Sequence, residues 1–298
     1  MSKGLITEPE QVKKTVAKVS AVSVFFNALL VVFKLFAGIV AGSGAMVSDA
    51  VHSMSDIIAT IIAYVGVRMS NKEPDVDHPY GHERLECIAA LLLALILFGT
   101  GAGIGYAGIL NIVTGEYEEL MVPGLLALIA AIVSIVIKEA MFWYTRYYAK
   151  LIRSSAFMAD AWHHRSDAIS SVGALIGIAF ARTGYPVMDS VASILICLFI
   201  FKAAYDIMRD AIRRLTDHSC SEEVVKDIKD HIISQDGVHG IDDIKTRLFG
   251  NRIYVEAEIR VNGELTLREA HDIAQTVHDS LEEQFPDIKH VMIHVNPD

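Results

Sequence analysis

Two segments of this chain, 111 residues apart, repeat one another closely: Asp49-Ala50-Val51-His52-Ser53-Met54-Ser55-Asp56 and Asp160-Ala161-Trp162-His163-His164-Arg165-Ser166-Asp167. The common pattern is D-A-x-H-x-x-S-D. On a helix, positions i and i+4 lie one above the other on a single face, so each copy aims one imidazole and one carboxylate the same way. Two such helices face to face would offer two nitrogens and two oxygens, a tetrahedral set suited to Zn²⁺ at about 2.0–2.2 Å from each ligand. A single H-x-x-x-D on a soluble helix is usually a solvated face. A duplicated one inside apolar sequence is different, because an isolated carboxylate at membrane depth costs about 3 kcal/mol on insertion scales and is kept there for ions or pathways. Asp49 and Asp160 precede the histidines by three residues, on a neighbouring face, and suit a supporting role in holding the imidazole tautomers.

The surrounding sequence is that of a membrane. Hydrophobic residues make up 52% of the 298 and mean hydropathy is +0.39, above what a soluble domain carries. From Cys87 to Gly115 there are 29 residues without an Asp, Glu, Lys or Arg, longer than the roughly 20 needed to cross a bilayer. Apolar stretches fall at 18–41, 44–69, 85–113, 120–146, 154–181 and 187–209, which predicts six transmembrane helices. Gly38, Gly42 and Gly44 punctuate the first connection, and Gly184 with Pro186 the last. Basic residues collect on one side: Lys13, Lys14 and Lys18 before the first stretch, Arg68, Lys72 and Arg84 after the second, Arg146, Lys150 and Arg153 after the fourth, and Arg209, Arg213 and Arg214 after the sixth. The opposite connections carry Glu116, Glu118 and Glu119, with Arg182 the exception. By the positive-inside rule both termini are expected in the cytoplasm. The first 20 residues are polar, so no cleavable signal is expected.

Charge also divides the chain. Residues 1–215 hold 18 acidic and 18 basic residues, whereas 216–298 hold 18 and 8, so the tail carries the entire net charge of −10. An acidic tail suits cations and argues against nucleic acid as a partner. Its periodicity is that of an α+β domain: a helix from Ser221 through Ile232, strands at Val238–Phe249 and Arg252–Val261, a helix over Leu267–Phe285 and a strand at His290–Val295. This αββαβ order predicts a small ferredoxin-like domain. Cys87, Cys197 and Cys220 show no CxxC spacing, and neither disulfides nor a thiolate metal site is indicated.

With its paired H-x-x-x-D motifs, its Asp75-Val76-Asp77-His78-Pro79-Tyr80-Gly81-His82-Glu83 loop and its αββαβ tail in this order, the chain resembles the cation diffusion facilitator family of proton-coupled divalent-metal exporters over nearly its whole length. The resemblance implies a homodimer with six spans per subunit in a bacterial plasma membrane. It also implies a transport site at His52, Asp56, His163 and Asp167, and a metal-responsive, dimerising cytoplasmic domain like metallochaperones. Family members bind a further metal in the loop after the second span, and Asp75, His78 and His82 match those positions; a plain polar turn at Pro79 and Gly81 is the competing reading. In the tail, Asp242 and Glu258 stand where some zinc-transporting relatives have histidines, His294 is kept and Asn296 replaces an aspartate. Together with His271 these would make a weaker, oxygen-rich site. The family also places a charge pair at the membrane–tail junction, matched by Arg84 and Asp217.

Exchange rather than catalysis is the expected activity. Neutral imidazole and ionised carboxylate bind a divalent ion and protonated imidazole does not, so His52 and His163 are the candidate proton carriers while Asp56 and Asp167 supply charge. Zn²⁺ is the expected cargo and possible regulatory ligand, with Cd²⁺, Co²⁺, Fe²⁺ or Mn²⁺ as alternatives. A membrane-bound metalloenzyme would need an open coordination position that the repeat fills. A membrane-anchored metal sensor would give no reason for paired ligands inside the bilayer.

Overall fold

The computed structural model describes residues 6, 9–40, 44–115, 125–182 and 187–298. The chain separates into two compact units, Met1–Ala211 and Ile212–Asp298. Gly42, the Glu116, Glu118 and Glu119 connection, and Gly184 with Pro186 lie outside the described residues.

In the first unit the described residues form α1 (Pro9–Val40), α2 (Gly44–Ser70), α3 (Arg84–Thr114), α4 (Leu125–Leu151), α5 (Ser155–Arg182) and α6 (Val187–Leu215), the last continuing into the second unit. Among the described residues, Glu10–Phe36 of α1 and the whole of α3 are long and apolar enough to cross a bilayer. α1 starts nine residues ahead of the apolar stretch that announced it. Val12, Val16 and Val19 recur at helical spacing and are buried, so the polar start of the chain is held as helix by one apolar stripe. The outer surface is apolar, with Phe25, Val32, Phe36, Leu92 and Leu95 exposed, as lipid-facing positions should be.

Close approach between helices uses small residues. A Cβ on Gly66 of α2 would stand 2.3 Å from Cβ of Ala89 on α3, and one on Gly105 of α3 would stand 2.5 Å from Sγ of Cys197 on α6. Cys197 therefore acts as a small packing residue. α2 packs on α1, α3 and α5, and α4 packs on α1 and α5. Glu86 ties three of these ends together: its buried carboxylate accepts from Ser155 N at 2.6 Å, from Ser155 Oγ at 3.4 Å and from Ser70 Oγ at 3.5 Å. An anion at the first residue of α5 satisfies an otherwise unpaired N–H and complements the helix dipole.

The second unit has α7 (Glu222–Ile233), β1 (Gly240–Phe249), β2 (Arg252–Val261), α8 (Leu267–Gln284) and β3 (Ile288–Pro297). Ser221 caps α7, and Thr266 with Glu269 forms a reciprocal capping box on α8. The sheet order is β1-β2-β3, with β1 antiparallel to β2 and β3 parallel to β2 through the α8 crossover. Ile228 and Ile232 of α7 and Val277 and Leu281 of α8 bury one sheet face, against Val255, Ala257, Ile259 and Val291. The even-numbered residues of β2, including Glu256 and Glu258, alternate to the other face.

Candidate metal-transport site

Three of the four residues proposed as transport ligands have described side chains, and they meet. Asp56 comes from α2, and His163 and Asp167 come from α5. One ligand atom from each lies within 4.8 Å of the others, and all three side chains are buried. His163 Nε2 is 3.1 Å from Asp56 Oδ1, so the two copies of the motif are in direct contact. The side chains of Asp49 and His52 lie outside the described residues. His52 is one helical turn before Asp56 on α2.

The centre of the cluster holds a residue that the motif does not contain. Lys138 of α4 is buried and donates from Nζ to Asp56 Oδ2 in a very short contact and to Asp167 Oδ2 at 3.0 Å. A cation between two carboxylates is what the motif predicts; here that cation is an ammonium. The signal was present in the sequence, since Lys138 interrupts an apolar stretch and an ionisable residue at membrane depth calls for a partner. Lys34 of α1 interrupts another, is also buried, and donates to Ser53 Oγ at 2.9 Å. A cavity of about 570 Å³ adjoins the cluster, lined by Asp56, Asp167, Lys138, Lys34 and the hydroxyl-bearing Ser53 and Ser134, among others.

Asp160 does not support His163 as expected. Its Oδ1 accepts from Thr60 Oγ1 at 3.1 Å, and its Oδ2 stands 3.7 Å from Nε2 of His164, the next residue. The buried Asp160 takes one hydrogen bond, from Thr60 of α2, and its Oδ2 has no hydrogen-bond partner among the described residues, while the His163 ring is oriented by the Asp56 carboxylate.

The loop between α2 and α3 forms a second cluster. Asp75, His78 and His82 bring ligand atoms within 4.8 Å of one another, with His78 Nδ1 and His82 Nε2 each 3.3 Å from an Asp75 oxygen. The His78 and His82 rings lie 4.5 Å apart between centroids. Asp75 Oδ1 accepts from His78 N at 2.9 Å, and the chain turns through Gly81 at φ 100°, a conformation that a side chain would strain. His82 is buried and its Nδ1 has no hydrogen-bond partner among the described residues. Lys72 Nζ, 2.5 Å from Asp75 Oδ2, holds the Asp75 carboxyl well below the usual carboxylate range, assisted by the His78 N–H. The plain-turn and metal-ligand readings of this loop are thus compatible, since the turn is what gathers these three side chains.

The tail residues do not assemble as a ligand set. Asn296 Nδ2 donates to Asp242 Oδ2 at 3.0 Å and to Glu258 Oε2 at 3.3 Å, and Arg260 Nε pairs with Asp242 Oδ1 at 2.8 Å. The Asn296 amide therefore bridges the two acids by hydrogen bonds, and the Arg260 guanidinium balances the charge of Asp242. Glu258 and His294 are register partners across β2 and β3, but His294 is exposed, as is His271 on α8. Among the described residues no ion pair or hydrogen bond joins either histidine to the acids. Arg84 and Asp217 belong to different units; Asp217 has a left-handed backbone, φ 54°, just after α6.

Buried acids and an imidazole from two helices of an apolar bundle define a membrane carrier for divalent cations. The description "cation efflux transmembrane domain" fits residues 20–216, and "cation efflux protein, cytoplasmic domain" fits residues 220–298. The chain belongs to the cation diffusion facilitator family, whose members are integral membrane proteins that export divalent metal cations and are transporters rather than enzymes. It is similar to an uncharacterized transporter of Methanocaldococcus jannaschii, with 36% identity over 95% of this chain and 99% of that one. It is 32% identical to the manganese efflux system protein MneP of Bacillus subtilis, over 98% of this chain and 99% of the relative. Magnetosome protein MamB of Magnetospira is likewise 32% identical, over 92% of each. A nickel form of the MamM CTD is 23% identical, covers 26% of this chain and 99% of its own, and superposes with a TM-score of 0.26.

Proposed function

We propose that this protein exports Zn²⁺ from the cytoplasm in exchange for protons, using His52, Asp56, His163 and Asp167 as the transport ligands. The observation that carries the reading is the meeting of Asp56, His163 and Asp167 from two helices at one buried point beside a polar cavity. Metal loads when the imidazoles are neutral and the carboxylates ionised. When the bundle opens to the other side, protons compete for the imidazoles and release it. α1 to α6 are read as six spans per subunit of a homodimer in a bacterial plasma membrane, with both termini cytoplasmic. Residues 216–298 are read as a ferredoxin-like, dimerising domain, and Arg84 and Asp217 as a charge pair at the junction. The Asp75, His78 and His82 cluster is a second, regulatory metal site at the cytoplasmic face.

Mn²⁺ is the second reading, favoured by the full-length similarity to a protein described as a manganese efflux system. Mn²⁺ prefers more oxygen ligands than a two-imidazole, two-carboxylate set supplies, which is why Zn²⁺ is placed first. The test is flux into proteoliposomes under an imposed pH gradient, across a panel of divalent ions. Zn²⁺ should move fastest and only with the gradient. Faster Mn²⁺ movement would reverse the order of the two readings, and flux of neither would remove both.

A further inference from the structure

We propose that Lys138 is a tethered counter-ion that occupies the transport site in place of the metal and must be displaced by it. The inference rests on the assignment of Asp56 and Asp167 as transport ligands. An ammonium has three donors and no lone pair, so it cannot join a metal's coordination shell and can only compete with it. Nζ of Lys138 touches one oxygen of each carboxylate, while Asp56 Oδ1 faces His163 Nε2, so a divalent ion shared by these carboxylates would sit close against the ammonium. Both cations at once would place like charges within a few ångströms in a low-dielectric site, where the repulsion is strong.

The arrangement answers a problem that every exchanger of this kind meets. After the metal leaves, two carboxylates remain buried on α2 and α5, and an uncompensated buried anion is costly. Lys138 comes from a third helix, α4, so its charge is available without using either motif helix. The adjoining cavity gives the displaced ammonium somewhere to go: Lys138 itself lines it with Ser53, Thr100, Ser134 and Ser171, and with Lys34, which is held on Ser53 Oγ at 2.9 Å. A long, flexible lysine stem suits a group that must swing between two polar positions.

The experiment compares wild type with Lys138→Met, Lys138→Gln and Asp167→Asn, each purified in detergent, with Zn²⁺ and Mn²⁺ as the probes. Calorimetric titration should show the metal binding at least about tenfold more tightly to Lys138→Met and Lys138→Gln than to wild type. Their metal-free melting temperature should fall and saturating metal should restore it, while net proton-driven flux slows because the empty site has lost its counter-ion. Equal or weaker affinity, with a lowered melting temperature that metal does not restore, would mean that Lys138 is only a fastening between helices. Asp167→Asn, combined in every protein of the series with His78→Ala and His82→Ala to silence the loop cluster, separates the two layers of argument: if it leaves the remaining metal binding intact, the transport site itself is misplaced. If it abolishes binding while the lysine variants bind like wild type, only the counter-ion inference falls. Should both lysine variants fail to fold, a metal-bound structure of the wild-type protein decides. Lys138 Nζ withdrawn from both carboxylates supports the proposal, and both ion pairs retained beside a bound metal overturns it.

Discussion

His163 Nε2 stands 3.1 Å from Asp56 Oδ1, so one residue from each copy of the repeated motif meets across the interface between α2 and α5. The pair fixes the register of the two helices at the level of the site. It also means that any ion taken up there is held by both helices, and that moving one helix relative to the other changes the ion's coordination.

Removing a carboxylate should therefore remove transport. Asp167→Asn is the cleaner variant, since Lys138 keeps Asp56 as a partner and no unbalanced charge is buried. Flux should fall to background, and affinity by more than the ~10–100-fold that supporting groups typically cost. Size-exclusion behaviour should be unchanged. Near-normal flux by purified Asp167→Asn in proteoliposomes would dispose of the site.

Glu86 should matter for stability rather than for transport chemistry. It caps α5 and joins it to the ends of α2 and α3, so Glu86→Ala leaves the Ser155 N–H without this acceptor in a buried place, at about 1–3 kcal/mol. Glu86→Gln keeps an acceptor and loses the charge, and should cost less. Thermal melting of the purified protein separates them; equal shifts for the two variants would show that the cap is not what Glu86 provides.

The loop cluster gives a pH prediction whose sign follows from Asp75. Its carboxyl is held well below the usual range by the Lys72 ammonium first, so its contribution to the loop is fully present above the ordinary value of about 3.9 and is lost only as pH falls through the lower folded one. Asp75 stays ionised from pH 7 down to pH 4. Acid release of loop-bound metal between pH 7 and pH 4, measured in an Asp167→Asn background, should then not come from protonation of Asp75. Metal that stays bound down to pH 4 and leaves only well below it would make Asp75, and not His78 and His82, the controlling ligand.

Much of this architecture is legible in the residues, and the exceptions have physical reasons. Apolar runs and the H-x-x-x-D repeat are local patterns, and β2 begins and ends at Arg252 and Val261 as alternation predicts. Partner choice over long separations is not local. Lys138 finds Asp56 across 82 positions and Asp160 finds Thr60 across 100, and no periodicity reports such pairings. The tail misled for the same reason: Asp242 and Glu258 read as free oxygen ligands until Asn296 and Arg260 are seen to hold them. That an intramembrane lysine requires an anion was a usable rule, and it would have pointed from Lys138 to the two motif aspartates.

Coupling to protons is the last expectation, and it follows from mixing imidazole with carboxylate. If metal and proton compete for His52 and His163, binding of Zn²⁺ must release protons whenever either ring is protonated beforehand, by up to about one per ring. Calorimetry in buffers of different ionisation enthalpy counts them directly. In vesicles the same competition becomes a driving force, because each pH unit across the membrane is worth about 1.4 kcal/mol for every proton exchanged. An acidic lumen should therefore accelerate Zn²⁺ entry into everted vesicles, and collapsing the gradient should slow it. Replacing both histidines with Asn keeps polar groups at those positions but removes their titration, so any residual flux should lose most of its dependence on the gradient. Zn²⁺ binding between pH 6 and 7 with no proton release would mean that the imidazoles are not the exchange groups, and proton antiport by this site would have to be abandoned.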